Sequence, residues 1–153
     1  MLEEGDKAPA FTLPTDNEGD ISLKDYKGRK LVLYFYPKDD TPGCTKEAIG
    51  FTEALDEFEA ANTAILGVSK DTVAKHGKFR AKHELGVGLA SDEDGAVIEA
   101  YGSWVEKQMY GKTYMGIDRS TFLIDEKGVV RKIWRKVRVP KHVETVLAAA
   151  QEL

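Results

Sequence analysis

The chain has 153 residues, of which 42% are apolar and 31% charged, with a single cysteine; this suits one globular domain spanning 1–153 and excludes a disordered or disulfide-built chain. Twenty-two Lys and Arg against 26 Asp and Glu give a formal charge of −4, so neither a nucleic-acid nor an anionic-membrane partner is expected. No apolar run approaches the ~20 residues of a membrane span, Met1–Phe11 lacks the pattern of a signal peptide, and one cysteine points to a reducing cytoplasm.

Phe11–Leu13 and Asp20–Leu23 alternate around the turn-rich Thr15–Gly19, which predicts a hairpin. Leu31–Tyr36 (LVLYFY) is a continuous apolar run, the signature of a strand buried on both faces. A breaker segment, Pro37–Gly43, follows. From Cys44 to Ala61 the apolar residues Ala48, Phe51, Leu55 and Phe58 recur at helical steps. Thr63–Val68 reads as a second buried strand, Asp71–Glu84 as a polar helix, and Val87–Ala90 as a short strand. Asp92–Gly95 opens a short helix through Tyr101.

Gly102–Asp118, rich in Gly, Tyr and Met, shows no period and reads as a long loop. Thr121–Ile124 and Val129–Trp134 flank Asp125–Gly128 as a second hairpin. Arg131, Lys132, Arg135, Lys136 and Arg138, interrupted by Ile133, Trp134 and Val137, read as a strand exposing one face. Pro140 starts a terminal helix with Val143, Val146, Leu147 and Ala150 on one face. Strands alternating with helices and ending in an antiparallel hairpin give an α/β fold. A thioredoxin-like mixed central sheet, flanked by helices and preceded by an N-terminal β-hairpin, satisfies that order.

By residue type alone, Cys44 is a small buried hydrophobe. Its position argues otherwise. It opens a helix after Thr41-Pro42-Gly43, where unpaired backbone N–H groups and the positive end of the helix dipole stabilise a thiolate. A site polar and near the surface is expected there. Reduction of an O–O bond by a thiol needs a thiolate, a polar donor to orient the peroxide, and positive charge for the leaving alkoxide. Thr41, three residues before Cys44, can supply the donor across the same turn. Pro37 and Pro42 would stiffen the loop and restrict water around the sulfur.

The pattern P-x-x-x-T-x-x-C, leaving a hydrophobic strand and opening a helix, resembles the active-site signature of the peroxiredoxins. The longer string Tyr34–Ala48 (YFYPKDDTPGCTKEA) resembles their bacterioferritin-comigratory, or PrxQ, subgroup. The likeness extends over Gly5–Phe11, Gly116–Asp125 and the ending with Trp134, His142, Val146 and Leu147. It implies a thioredoxin-like fold and a thiol-dependent peroxidase acting on hydrogen peroxide and organic hydroperoxides in antioxidant defence, without a cofactor or metal. It also implies that Pro37, Thr41, Cys44 and Arg119 are the catalytic residues, Arg119 bringing the missing positive charge from 75 residues away. Members of the subgroup are often monomers, and a monomer is the implied state. Glu47, one turn from Cys44, is a weaker candidate to support the site; an exposed acid near a helix N-terminus explains it almost as well, and it is left outside the site.

The chain departs from the subgroup's commonest pattern at Ile49, where a second cysteine would stand, and Asp71–Glu84 contains none either. A sulfenic acid on Cys44 therefore has no thiol in its own chain to condense with. An outside thiol must resolve it: thioredoxin, glutaredoxin or a small-molecule thiol.

His76, His83 and His142 read as surface histidines without the spacing of a metal site. The glycines form no nucleotide motif. Tyr101, Trp104, Met109, Tyr110, Tyr114 and Met115 read as core packing, part of which could line an apolar entrance for organic peroxides. Two other functions compete. A thiol–disulfide oxidoreductase is disfavoured because there is no C-x-x-C. A non-enzymatic redox sensor or holdase would react with peroxide slowly and not turn over with an added thiol.

Overall fold

The alternation near the N-terminus forms a hairpin of β1 (Thr12–Pro14) and β2 (Asp20–Ser22), with Leu13 opposite Ile21. A 3₁₀ turn, Leu23–Tyr26, leads to β3 (Lys30–Phe35), every residue of which is buried. The computed structural model describes residues 1–153. After β3 come α1 (Pro42–Glu53), α2 (Leu55–Ala60), β4 (Thr63–Ser69), α3 (Val73–His83), β5 (Gly88–Ser91) and α4 (Ala96–Ala100). The chain closes with β6 (Trp104–Met109), β7 (Lys112–Ile117), β8 (Ser120–Ile124), β9 (Val130–Trp134) and α5 (His142–Glu152).

The main sheet has the order β5-β4-β3-β8-β9, with β3, β4 and β5 mutually parallel and β8 and β9 antiparallel to their neighbours. This is the thioredoxin-like mixed sheet, with helices packed on it. Successive side chains leave opposite faces of a strand, which is why LVLYFY is apolar without alternation. Val32, Tyr34 and Tyr36 enter a core closed by Phe51 of α1, Phe58 of α2, Phe79 of α3 and Val146 of α5. Leu31, Leu33 and Phe35 enter the opposite core, closed by Leu13 of β1 and Ile98 of α4.

Three expectations need correcting. The segment 102–118 is not a loop: β6 and β7 pair as a separate two-stranded ribbon, joined by Tyr110-Gly111. Both turn residues have positive φ, 53° and 76°, the geometry of a tight hairpin whose twist matches its strands. Most ribbon residues are partly or fully exposed, so no alternation of apolar and polar faces marks them as strands. Met109, Tyr110, Tyr114 and Met115 are likewise exposed rather than core. The helix expected over Cys44–Ala61 is interrupted at Ala54, where no breaker residue announces it.

Candidate active site

The sheet register explains how Arg119 meets Cys44. In the β3–β8 pairing Phe35 lies opposite Ser120, so the residue before β8 stands beside the end of β3. The chain leaving that end turns through Pro37–Asp40 and enters α1. Thr41 is the extended N-cap residue (φ −92°, ψ 154°), and Pro42 occupies the first turn, where a missing N–H costs nothing. Cys44 is thus the third residue of the helix, close to its positive end.

An Nη2 hydrogen of Arg119 points at Cys44 Sγ, 3.3 Å away, while Nη1 donates to Glu47 Oε1 at 2.7 Å. A single guanidinium therefore bridges sulfur and carboxylate. Gly43 makes room for it: a Cβ there would lie 3.1 Å from Arg119 Nη2.

Cys44 is 1% exposed, and it sits in the buried cluster with Tyr34, Tyr36, Ala48 and Phe51. The expected position near the surface is corrected accordingly. Neither proline screens it in the way the sequence suggests, because Pro37 and Pro42 both face solvent. The apolar cluster does that work instead. Thr41 also differs in detail: its hydroxyl donates to the Lys38 carbonyl at 2.8 Å. Its proton is committed there, so toward a substrate the oxygen is an acceptor rather than the expected donor.

Glu47 is fully buried, not exposed. Its spacing is the signal that favours a place beside Cys44. Residues i and i+3 share a helix face, and Cys44 and Glu47 share theirs with the buried Ala48 and Phe51. Burial pushes the Glu47 carboxyl up to about 7, and the Arg119 charge and hydrogen bond reduce that rise without cancelling it. Its second oxygen and the nearby Tyr34 hydroxyl are buried without a hydrogen-bond partner, so Arg119 alone supports the charge. For Arg119, burial opposes the cation, but Glu47 and Cys44 outweigh it and raise the guanidinium above its ordinary value.

Two of the three histidines are interior, against expectation. His142 hydrogen-bonds the Thr121 hydroxyl at 2.8 Å. Burial, and secondarily the Arg119 charge, lower it to about 4, so it is neutral at physiological pH and does not compete with Arg119. His76 is fully buried beside the Cys44 loop. The histidines stay apart, and no group of three or more His, Cys, Asp or Glu side chains is placed to hold a metal ion.

Residues 4–133 match the AhpC/TSA family. The chain belongs to that family. It is 53% identical over 146 residues to the putative peroxiredoxin bcp of Coxiella burnetii, covering 95% of this chain and 97% of that one. The peroxiredoxin Bcp of Bacillus subtilis is 47% identical over 152 residues, covering 99% and 97%. Among solved structures, a Xylella fastidiosa PrxQ mutant superposes with TM-score 0.94 at 38% identity, covering 99% and 97% of the two chains. The Xanthomonas campestris bacterioferritin comigratory protein, described for alkyl peroxide reduction activity, superposes with TM-score 0.89 at 44% identity, covering 93% and 90%. The chain is thus a peroxiredoxin of the Bcp/PrxQ kind, a thiol-dependent peroxidase.

Proposed function

We propose that Cys44 is the peroxide-reducing nucleophile, that Arg119, Thr41 and Pro37 complete the site, and that an outside thiol closes the cycle. The observation that supports this best is the 3.3 Å contact from Arg119 to Cys44 Sγ at the start of α1. A guanidinium and a helix N-terminus both favour the thiolate. The Thr41 oxygen accepts a hydrogen bond from the peroxide and orients it. Pro37 fixes the backbone entering the turn.

The Cys44 thiolate attacks one peroxide oxygen. An S–O bond forms, the O–O bond breaks, and the departing alkoxide takes a proton to leave as alcohol or water. Arg119 is held where that negative charge develops. Cys44 is then a sulfenic acid. An external thiol attacks its sulfur, expelling water and forming a mixed disulfide; a second thiol attacks that disulfide and returns Cys44 as thiolate. In sum, one hydroperoxide and two thiols give one alcohol, one water and one disulfide.

Hydrogen peroxide and organic hydroperoxides are the proposed substrates, with thioredoxin, glutaredoxin or a small thiol as reductant. We place the enzyme in the cytoplasm as a monomer of one domain, in antioxidant defence. No helix is long and apolar enough to cross a membrane. Peroxide consumption should be measured for the wild type, Cys44→Ser and Arg119→Ala, with dithiothreitol and then with thioredoxin. Loss in both variants is expected. Equal consumption by wild type and Cys44→Ser would end the proposal, and a slow reaction without thiol-driven turnover would favour a redox sensor.

A further inference from the structure

The turn that delivers Thr41 and Cys44 to the site is held from below by α3. Asp39, in the middle of that turn, is anchored at three points. Its backbone N–H donates to Asp71 at 2.8 Å, Tyr36 donates to its Oδ1 at 2.6 Å, and its Oδ2 lies 2.6 Å from His76 Nδ1. Asp71 is itself held by the Ser69 hydroxyl at 2.7 Å.

The other ring nitrogen of His76 fixes the proton count. Nε2 lies 2.9 Å from the Ala90 carbonyl, which can only accept, so Nε2 carries a hydrogen. With Nε2 protonated, a neutral ring would turn a lone pair at Nδ1 toward the Asp39 carboxylate, two acceptors face to face at 2.6 Å. A proton must sit between them, and the Tyr36 hydrogen bond favours leaving the charge on the carboxylate. His76 is fully buried and Asp39 nearly so.

We propose that His76 is a positioning residue for the Cys44 reaction: held as a doubly donating imidazolium between Asp39 and the Ala90 carbonyl, it fixes the turn that presents Thr41 and starts α1. The inference rests on the reading of Cys44 as nucleophile. His76 touches no reacting atom and acts through Asp39 alone. Asp40, the next residue, is tied to the same helix by Lys82 and His83, each at 2.8 Å. Those contacts are exposed and contribute little, whereas removing one member of a buried, hydrogen-bonded pair leaves an uncompensated charge.

The groups facing His76 are Asp39 and Tyr36 from the β3 side and Asp71 from the turn before α3; β5 offers only the Ala90 carbonyl. Burial lowers the imidazole, but the Asp39 hydrogen bond and charge outweigh it, so its value lies above the ordinary one. The brace is therefore complete while Asp39 is ionised and His76 protonated, and it is lost as pH rises through that raised value.

Two measurements test this. Nitrogen-15 NMR of the imidazole rings followed against pH should show one of the three histidines still doubly protonated above the ordinary imidazole value, its signal disappearing in His76→Gln. Single-turnover oxidation of reduced enzyme by hydrogen peroxide should then be followed from about pH 6 to 9. His76→Gln should lower the rate constant about tenfold or more, since small displacements of a reacting group cost that much. It should also remove a decline on the alkaline side of the wild-type profile. Reaction of the preformed sulfenic acid with dithiothreitol should not change.

A double Asp39→Leu, His76→Leu variant, which replaces the pair by apolar packing, should fold and show the same slow oxidation. Oxidation of either folded variant within twofold of wild type across the range, or the absence of a doubly protonated imidazole, would overturn the proposal. If the wild type is itself no faster than Cys44→Ser, the nucleophile assignment fails instead.

Discussion

Arg119 divides its guanidinium between Cys44 Sγ and Glu47 Oε1, and a lysine, with one compact ammonium, cannot reproduce that fork. Arg119→Lys should therefore lower the rate of Cys44 oxidation about a hundredfold, the order seen when one preorganised charge donor is lost. A rate within threefold of wild type would contradict this. Gly43→Ala tests the same fork from the other side. Its Cβ, 3.1 Å from Nη2, must push the guanidinium by a few tenths of an ångström, so activity should fall while thermal stability stays within about 0.5–1 kcal/mol.

Glu47 makes a prediction about pH. Its folded value, about 7, lies above the ordinary 4.5. Between those values the folded state holds a proton that the unfolded state has released. The group's stabilising contribution is thus full below about 4.5 and is lost as pH rises through 7. Glu47→Gln keeps an acceptor for Arg119 and removes the titration. Urea unfolding at pH 5 and pH 8 should show wild type losing more stability over that interval than Glu47→Gln; equal losses would refute the burial account.

At the scale of elements, β3 and β4 carry the site's floor. Gly67 on β4 pairs with Tyr34 on β3, and a Cβ at Gly67 would approach the Tyr34 ring to 2.6 Å. The ring is stacked on Phe51 at 4.9 Å and has nowhere to go. Gly67→Ala should cost about 1–3 kcal/mol, as overpacking does, and slow the enzyme because Tyr34 lies under Cys44 and Glu47. Equilibrium urea denaturation measures the first effect.

Elements with strong local signals were readable from sequence for this reason. LVLYFY has to be buried on both sides, and the turn Asp125–Gly128 writes its hairpin in residue type. The β6–β7 ribbon was not readable, because exposed strands lack a buried face to impose alternation. The bridge from Arg119 to Cys44 is a matter of register between β3 and β8, which no local pattern contains; the family resemblance supplied it. For a related cause, the sequence does not place Glu47 and His76 at the site. A buried charged residue looks like a surface one until its partner is known, and Arg119 and Asp39 lie 72 and 37 residues away.

At the scale of the molecule, the decisive feature is that Cys44 is the only cysteine. On the proposed mechanism the sulfenic acid has no second thiol to trap it, so it waits for an outside reductant and stays open to further oxidation. Graded excess peroxide without thiol should drive Cys44 to the sulfinic acid, read by intact-protein mass spectrometry as a gain of two oxygens. Persistence of the unmodified thiol in every sample would contradict the account.

The chemistry of the site turns on where the first oxygen goes. Reduced enzyme treated with one equivalent of hydrogen peroxide and trapped at once with dimedone should carry the adduct on Cys44, in near-stoichiometric yield, while Cys44→Ser carries none. An unlabelled wild type that still consumes the peroxide would show that the O–O bond is broken elsewhere, and the role given to Cys44, with Arg119 beside it, would fall.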